Sequence, residues 1–517
     1  MASTTGNEQA PAAMTPALVP PLRGDAAVLG EALAAAARQF GEREAYVDGA
    51  DRITFGAWHG QADAVAAELA ARGVRHGDVV ALMLPSGIDF AVAYAAALRL
   101  GAVATGLGTR LGVQETTGIL DQCRPTLVIR DAGADLPLVR SRFPLMSREE
   151  LVAARHGAPR SFRREQVAPD DPAVITWTSG TTGAPKGAWY DHRGLAAAAV
   201  TSGVMSAPFD RRLFATPFAH AGYLAKVWDQ LAWGIALVIS PVPWKAADMA
   251  DLLERERVTV AAGAPTQWAK LLEEPGIERR ALPRLRLGVS ATAPAPPELV
   301  ERVNRVLGTP LVVRYAMTES PSISGTDPED PPEVQFRTVG RPQTGVEAEV
   351  VDDDGHPLAP GTVGHVRVRG ACVMRGYWRD PERTAEALDE EGWLRTGDLG
   401  TFTPEGHLVL TGRSTDVYLR GGYNIYPLEV ESVLGEHPRI AQVAVVGTPA
   451  PVIGEIGVAF VVPQDAADPP SLEELRAWTR RRLADYKAPD RLEIVDALPL
   501  TPMLKVDRTA LRGLAAL

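Results

Sequence analysis

Thr178-Ser179-Gly180-Thr181-Thr182-Gly183-Ala184-Pro185-Lys186-Gly187 follows an apolar run, Ala173-Val174-Ile175-Thr176-Trp177. The run reads as a buried strand. A strand that opens into glycines, hydroxyls and one lysine is suited to a polyanion. The glycines let successive backbone N–H groups turn toward one point, the hydroxyls add donors, and Lys186 adds a mobile positive charge. Triphosphate is the natural ligand. The stretch is not a Walker A loop, which needs Gly-Lys followed by Ser or Thr; here Pro185 precedes Lys186 and Gly187 follows it. A flexible Ser/Thr/Gly linker would need neither the entering strand nor the lysine.

Around this loop the chain is globular in composition. It has 517 residues, 46% hydrophobic and 23% charged, with net charge −11. That length exceeds one core, so more than one domain is expected. The acidic balance and the lack of a basic stripe argue against a nucleic-acid partner. Cys123 and Cys372 are the two cysteines, too few for a disulfide framework or a cysteine zinc site. They read as buried thiols, which fits a reducing cytoplasm. Residues 1–24 are rich in Ala, Pro, Ser and Thr and read as a frayed tail, not a signal peptide. No apolar run is long enough to span a membrane.

The first half alternates helical and strand patterns. Ala26–Phe40, Gln61–Arg72 and Ile88–Leu100 read as helices; Val79–Leu84 and Thr126–Ile129 read as strands. After a polar stretch, Ala158–Pro172, further strands follow at Ala236–Ile239, Thr259–Ala261, Leu285–Val289 and Leu311–Tyr315. This rhythm predicts an α/β fold of helix-covered, mostly parallel sheets. Beyond about residue 340, short alternating strands (Glu347–Val351, His365–Arg369, Leu408–Thr411) suggest an antiparallel sheet or small β-barrel-like part. A compact α+β segment follows, with a helix at Pro427–Glu436, strands at Ile440–Val446 and Gly457–Val462, and a helix at Leu472–Ala484. The expected division is a large domain over 25–413 and a small mobile one over 414–517.

More motifs arrive in order: Tyr315-Ala316-Met317-Thr318-Glu319, then Thr396-Gly397-Asp398, then Gly412-Arg413, then Arg420-Gly421-Gly422-Tyr423, and last Pro502-Met503-Leu504-Lys505. Singly each is weak. As an ordered set, from about residue 28 to 510, they closely resemble the adenylate-forming (ANL) superfamily of acyl- and aryl-CoA synthetases, adenylation domains and luciferases. That resemblance implies ATP, Mg²⁺ and CoA as cofactors and a small carboxylic acid as substrate. Thr178, Ser179, Gly180, Thr181, Thr182 and Lys186 would grip the phosphates. Tyr315 would face adenine and Thr318 the α-phosphate. Glu319 would hold Mg²⁺, a hard cation that prefers carboxylate oxygen. Asp398 would take the ribose hydroxyls and Arg413 the ribose or phosphate. Lys505 would bridge the attacking carboxylate and the α-phosphate. Gly421 and Gly422 would line a thiol tunnel after the small domain rotates.

The resemblance also places His220, Lys226, Ser290 and Ala316 at the acyl pocket, with His220 as its gate. His220 also reads as a structural, hydrogen-bonded histidine, and Lys226 as a cation that reaches solvent along its stem or meets a polar group of the substrate. Four positions depart from the family pattern: Leu504 before the lysine, Thr415 at the hinge, Ala291-Thr292 in place of two glycines, and His365 after Gly364. Beta-carbons at 291 and 292 are expected to narrow the pocket. The departures leave the acceptor open between CoA and a separate carrier protein, supplied in trans because the chain ends soon after Lys505. The leading expectation is acyl-AMP formation with release of pyrophosphate, then thioester formation. The alternatives are an ATP-dependent diazotase that activates nitrite for an aminoaryl acid, and a nucleotide-binding scaffold without turnover.

Overall fold

The computed structural model describes residues 19–132, 142–157, 162, 165–178, 185–292, 295–501 and 505–516. Most of the 1–24 tail, the loop residues Ser179, Gly180, Thr181 and Thr182, and Leu504 lie outside the described residues.

Among the described residues the strands form four sheets. One has six parallel strands at its centre, running from Leu311–Met317 through Leu287–Ser290, Val260–Gly263, Arg211–Phe214 and Ala236–Ile239 to Glu44–Asp48. Antiparallel strands close both of its ends. A second sheet joins Pro172–Trp177, Val103–Gly106, Val79–Met83, Leu127–Arg130 and Leu145–Ser147 in parallel. The third is antiparallel, Val346–Val351, Gly364–Gly370, Leu394–Phe402 and Leu408–Arg413. The fourth, smaller sheet contains Tyr418–Arg420, Tyr423–Ile425, Ile440–Ala450, Gly454–Pro463 and Arg491–Ile494. A large α/β part with mostly parallel sheets and a smaller α+β part thus match the expected class.

Helix Ile88–Arg99 explains how the first two sheets pack. Every one of its residues is buried, and five of the twelve are alanine. A helix apolar all round has no solvent face; small side chains let it lie close to its neighbours on every side. Its two charges are compensated. Arg148 Nε donates to Asp89 at 2.7 Å and Arg155 holds the other carboxylate oxygen, while Arg99 pairs with Asp63 and donates to the Gly30 carbonyl at 2.9 Å.

Two helix starts differ from the sequence pattern. The first helix begins at Leu29 rather than Ala26, because Leu29 N–H donates to Nδ1 of His192, 163 residues away. The second reaches back to Phe55, where the Thr54 hydroxyl accepts from Ala57 N–H and caps the first turn. The Leu472 helix ends at Arg480, short of Ala484, and a 3₁₀ turn at Asp485–Lys487 follows. Both cysteines are buried free thiols.

His192 must stay neutral to accept from Leu29, and burial pulls its pKa down to about 4 from 6.5. Between those values the unfolded chain binds more protons than the folded one. Stability therefore falls as pH drops from 6.5 toward 4, by roughly 3 kcal/mol at most from this group. Chemical denaturation at several pH values should show this slope, and His192→Gln, which keeps an acceptor but cannot titrate, should flatten it.

Candidate active site

The strand Pro172–Trp177 returns as Gly187–Asp191, paired antiparallel with Trp177 opposite Gly187. A β-carbon at Gly187 would lie 2.8–2.9 Å from the Ile175 and Trp177 side chains, so glycine is needed for the strands to close. The loop base is cinched twice. Thr178 N–H donates to the Lys186 carbonyl at 2.9 Å, and Lys186 N–H donates to the Thr178 hydroxyl at 3.3 Å. The Lys186 ammonium then lies 5.2 Å from the centre of the Tyr377 ring.

Tyr377 leads to the next element. Its hydroxyl donates to Glu319 Oε1 at 2.7 Å, and Tyr190 donates to the Thr318 carbonyl at 2.5 Å. Glu319 is buried, with its own carbonyl bonded by Met374 N–H at 2.9 Å. Among the described residues only Oε1 of Glu319 is engaged, and no group of three or more His, Cys, Asp or Glu could hold a metal. One carboxylate oxygen left over among the described residues, linked through Tyr377 to Lys186, fits Mg²⁺, which is commonly held by one or two carboxylates together with substrate phosphates.

A third group closes the cleft. Asp398, on the strand Leu394–Phe402, stands opposite Arg413 across the ladder. Arg413 Nε lies 2.8 Å from Asp398 Oδ1, and the Tyr315 hydroxyl donates to Oδ2. Burial pushes the Asp398 pKa up, while Arg413 and the Tyr315 bond hold it down. Tyr315 is itself buried, so its hydroxyl fixes the acid as well as offering a ring to the cleft.

Lys505 arrives from the small domain. Thr501 N–H donates to the Lys505 carbonyl at 2.7 Å, Lys505 N–H donates to the Thr501 hydroxyl, and Leu500 bridges Val506, making a tight hairpin that presents the lysine. The open cleft leaves Lys505 exposed to solvent. Its pKa is nevertheless lowered, by the surrounding protein and by Arg413, against the upward pull of Asp398 and Glu319. The same ammonium, after burial, helps hold His220 down at about 4, so His220 is neutral at pH 7. The structure thus brings Lys186, Thr318, Glu319, Tyr315, Asp398, Arg413, Lys505 and His220 to one cleft.

It does not bring Gly421 and Gly422 there. They form a hairpin with φ of 57° and 87°, exposed, with open space where a β-carbon would sit. At the acyl side, Ala316 is exposed to the cleft, and Ser290 is fully buried with its hydroxyl unpartnered among the described residues. Lys226 meets protein rather than bulk water, donating to the Ala198 carbonyl at 2.8 Å and the Thr201 hydroxyl at 3.1 Å. Thr292 adopts φ of 77°. The backbone keeps the path that glycine would favour, at a cost of order 1–2 kcal/mol.

These motifs and this geometry agree with comparison to known proteins. The chain matches the AMP-binding enzyme family over residues 33–378 and the AMP-binding enzyme C-terminal domain over 429–505. It belongs to the AMP-binding enzymes. Among curated relatives of this AMP-binding enzyme, a 3-[(3aS,4S,7aS)-7a-methyl-1,5-dioxo-octahydro-1H-inden-4-yl]propanoyl:CoA ligase of Mycobacterium tuberculosis is 37% identical, over 87% of this chain and 91% of that protein. An indoleacetate–CoA ligase of Aromatoleum aromaticum is 35% identical over 88% and 92%. Among solved structures, ATP-bound MatB from Rhodopseudomonas palustris superposes with a TM-score of 0.86 at 29% identity, covering 94% and 98% of the two chains.

Tyr377 and Tyr190 were not picked out from the sequence. The signal available was Gly376 followed by two aromatics, Tyr377-Trp378. Removing one hydroxyl tests the Glu319 contact. Tyr377→Phe should keep the fold by circular dichroism and raise the Mg²⁺ concentration for half-maximal turnover by about tenfold, as loss of a group that orients a metal ligand does.

Proposed function

We propose that this AMP-binding enzyme joins a carboxylic acid to the thiol of CoA in two steps, with residues 25–413 binding ATP and acid and residues 414–517 moving between steps. It is an AMP-forming acid–thiol ligase. The acid attacks the α-phosphorus of ATP, pyrophosphate leaves, and the thiol then attacks the acyl carbon of the acyl-AMP. The observation that carries the reading is Lys505 standing close enough to Arg413, Asp398 and Glu319 for their charges to act on its ammonium.

The chemistry the chain must perform is chiefly positioning and charge neutralisation. Two anions, a carboxylate and a polyphosphate, have to meet. Lys186 and the loop hydroxyls Thr178, Ser179, Thr181 and Thr182 hold the β- and γ-phosphates, with Gly180 giving the backbone room. Asp398, fixed by Tyr315 and Arg413, takes the ribose hydroxyls. Glu319 holds Mg²⁺, which neutralises phosphate charge when bound. Thr318 donates to the α-phosphate. The Lys505 ammonium approaches from the opposite wall and offsets the charge of both reactants. Neutral His220, beside it, can orient the acid without adding a second positive charge.

The exposed hairpin with Gly421 and Gly422 would line the thiol path in the second step. Thioester formation then requires the small domain to turn and Lys505 to withdraw. CoA is the acceptor, and a carrier-protein pantetheine is the other thiol of the same chemistry. Among the described residues no helix is long and apolar enough to cross a membrane, and a cytoplasmic setting belongs to the proposal. Lys226, which made nitrite activation conceivable, bonds Ala198 and Thr201, and among the described residues no phosphate-binding candidate is a hydrogen-bond partner.

Acid-dependent pyrophosphate release with ATP, followed by mass detection of the CoA thioester, tests the proposal. Lys505→Ala and Lys186→Ala should each lower pyrophosphate release by about 10²–10³, the usual cost of one preorganised charge contact. Undiminished release in Lys505→Ala would remove the mechanism.

A further inference from the structure

One side of the cleft is built for more than an apolar chain. Phe214 pairs with Ala262, Ala262 with Val289 and Val289 with Val312, so these four side chains share one face of the large sheet. Residues two positions away lie on the same face, which adds Arg212 and Arg314. Phe214, Ala262 and Lys226 keep partial exposure, and Gly222 is exposed. A cavity of about 10 Å³ is lined by Arg212, Phe214, Gly222, Tyr223, Lys226 and Gln230, among others. That is room for a group the size of one oxygen.

The charges at this cavity do not balance. Asp229 is the carboxylate beside them, and it is already satisfied. Ser206 donates to it at 2.8 Å and Arg212 at 2.8 Å. Arg212 gives its other terminal nitrogen to the Met205 carbonyl and Ser206, and its Nε is buried without an acceptor among the described residues. Lys226 has only neutral partners, Ala198 O and Thr201 Oγ1. An ammonium has three donors, and the third finds no acceptor among the described residues. Burial draws the Lys226 pKa down to about 8, with Asp229 opposing, so it remains a cation at pH 7. Asp229 is the carboxylate whose charge favours the ammonium, and it is already shared with Arg212 and Ser206. A ligand oxygen placed in the cavity would take up the donor that is left.

We infer that Lys226, with Arg212 beside it, binds a second oxygen on the acid, at the end remote from the carboxylate that is activated. The substrate class is a hydroxy-, oxo- or carboxy-substituted acid, an anionic oxygen binding best, rather than a plain alkyl or phenyl acid. This rests on the proposed ligase function. His220 marks the mouth of the acyl side and Lys226 its floor. Lys226 lies six near-helical steps after His220, roughly 9 Å of chain, a span that an aryl ring or a short chain covers.

The test compares 3-phenylpropanoate, 3-(4-hydroxyphenyl)propanoate and 3-(4-carboxyphenyl)propanoate by pyrophosphate release. In the unaltered enzyme the two oxygenated acids should exceed the plain acid in kcat/KM by about 10- to 100-fold, the worth of a hydrogen bond to a charged group. Lys226→Met should erase that advantage, bringing the three acids to similar kcat/KM. Lys226→Gln, which keeps a donor without the charge, should lower the carboxy acid more than the hydroxy acid and covers the case in which the methionine variant folds poorly. Equal use of all three acids by the unaltered enzyme, or a ratio that survives Lys226→Met, would overturn the inference while leaving the ligase reading intact. No release with any acid would instead count against the ligase reading itself.

Discussion

Asp398, Arg413, Glu319 and Lys505 form one electrostatic arrangement on which the rest of the cleft depends. A carboxylate and a polyphosphate repel, and the cleft must lower that repulsion at short range without binding either reactant so firmly that it cannot leave. In the proposed cycle the acids stay fixed and the cation moves. Asp398 is locked between the Arg413 guanidinium and the Tyr315 hydroxyl. Glu319 is locked by Tyr377. Lys505 is held by Thr501, which donates its N–H to the Lys505 carbonyl, and is exposed to solvent. A charge carried on a movable element can be supplied for one step and withdrawn for the next.

The junction that carries this element is tied to the terminal helix. Asp416, just past the last strand of the antiparallel sheet, takes Arg512 at 2.6 Å and Arg508 at 3.4 Å, and Arg512 also reaches the Thr415 carbonyl. Arg508 begins the helix three residues after Lys505. The segment between the domains and the hairpin with the lysine are thus coupled through one carboxylate. Thr415, where the family pattern has a charge, contributes its backbone to this junction and leaves the ion pairing to its neighbour.

The nucleotide side and the acid side of the cleft differ in how readily the sequence exposes them. Lys186, Tyr315, Thr318, Glu319, Asp398, Arg413 and Lys505 were singled out because their motifs, weak one by one, stand in the order that the family resemblance implies. The parallel strands are legible for a local reason: apolar runs such as Ala236–Ile239 match the observed strand to the residue. Helix ends are less so, since Leu29 is capped by a histidine from another part of the chain. The expected narrowing by Thr292 is only half the result, because its backbone takes the left-handed path a glycine would and the strain falls on the loop.

Local chemistry determined the parts: a strand running into a glycine-rich phosphate loop, an alternating α/β pattern, an antiparallel segment, and a late lysine in a proline-bounded turn. Each of these is encoded by residues within a few positions of one another, where backbone preference and side-chain type act together. Tertiary structure alone decided which of them meet. Tyr315 bonds an acid 83 residues away, Tyr377 one 58 residues away, and Lys226 lies by a carboxylate already taken by Arg212. Whether a buried charge is compensated depends on the distances between elements that are remote in the chain, and those distances arise only when the sheets pack.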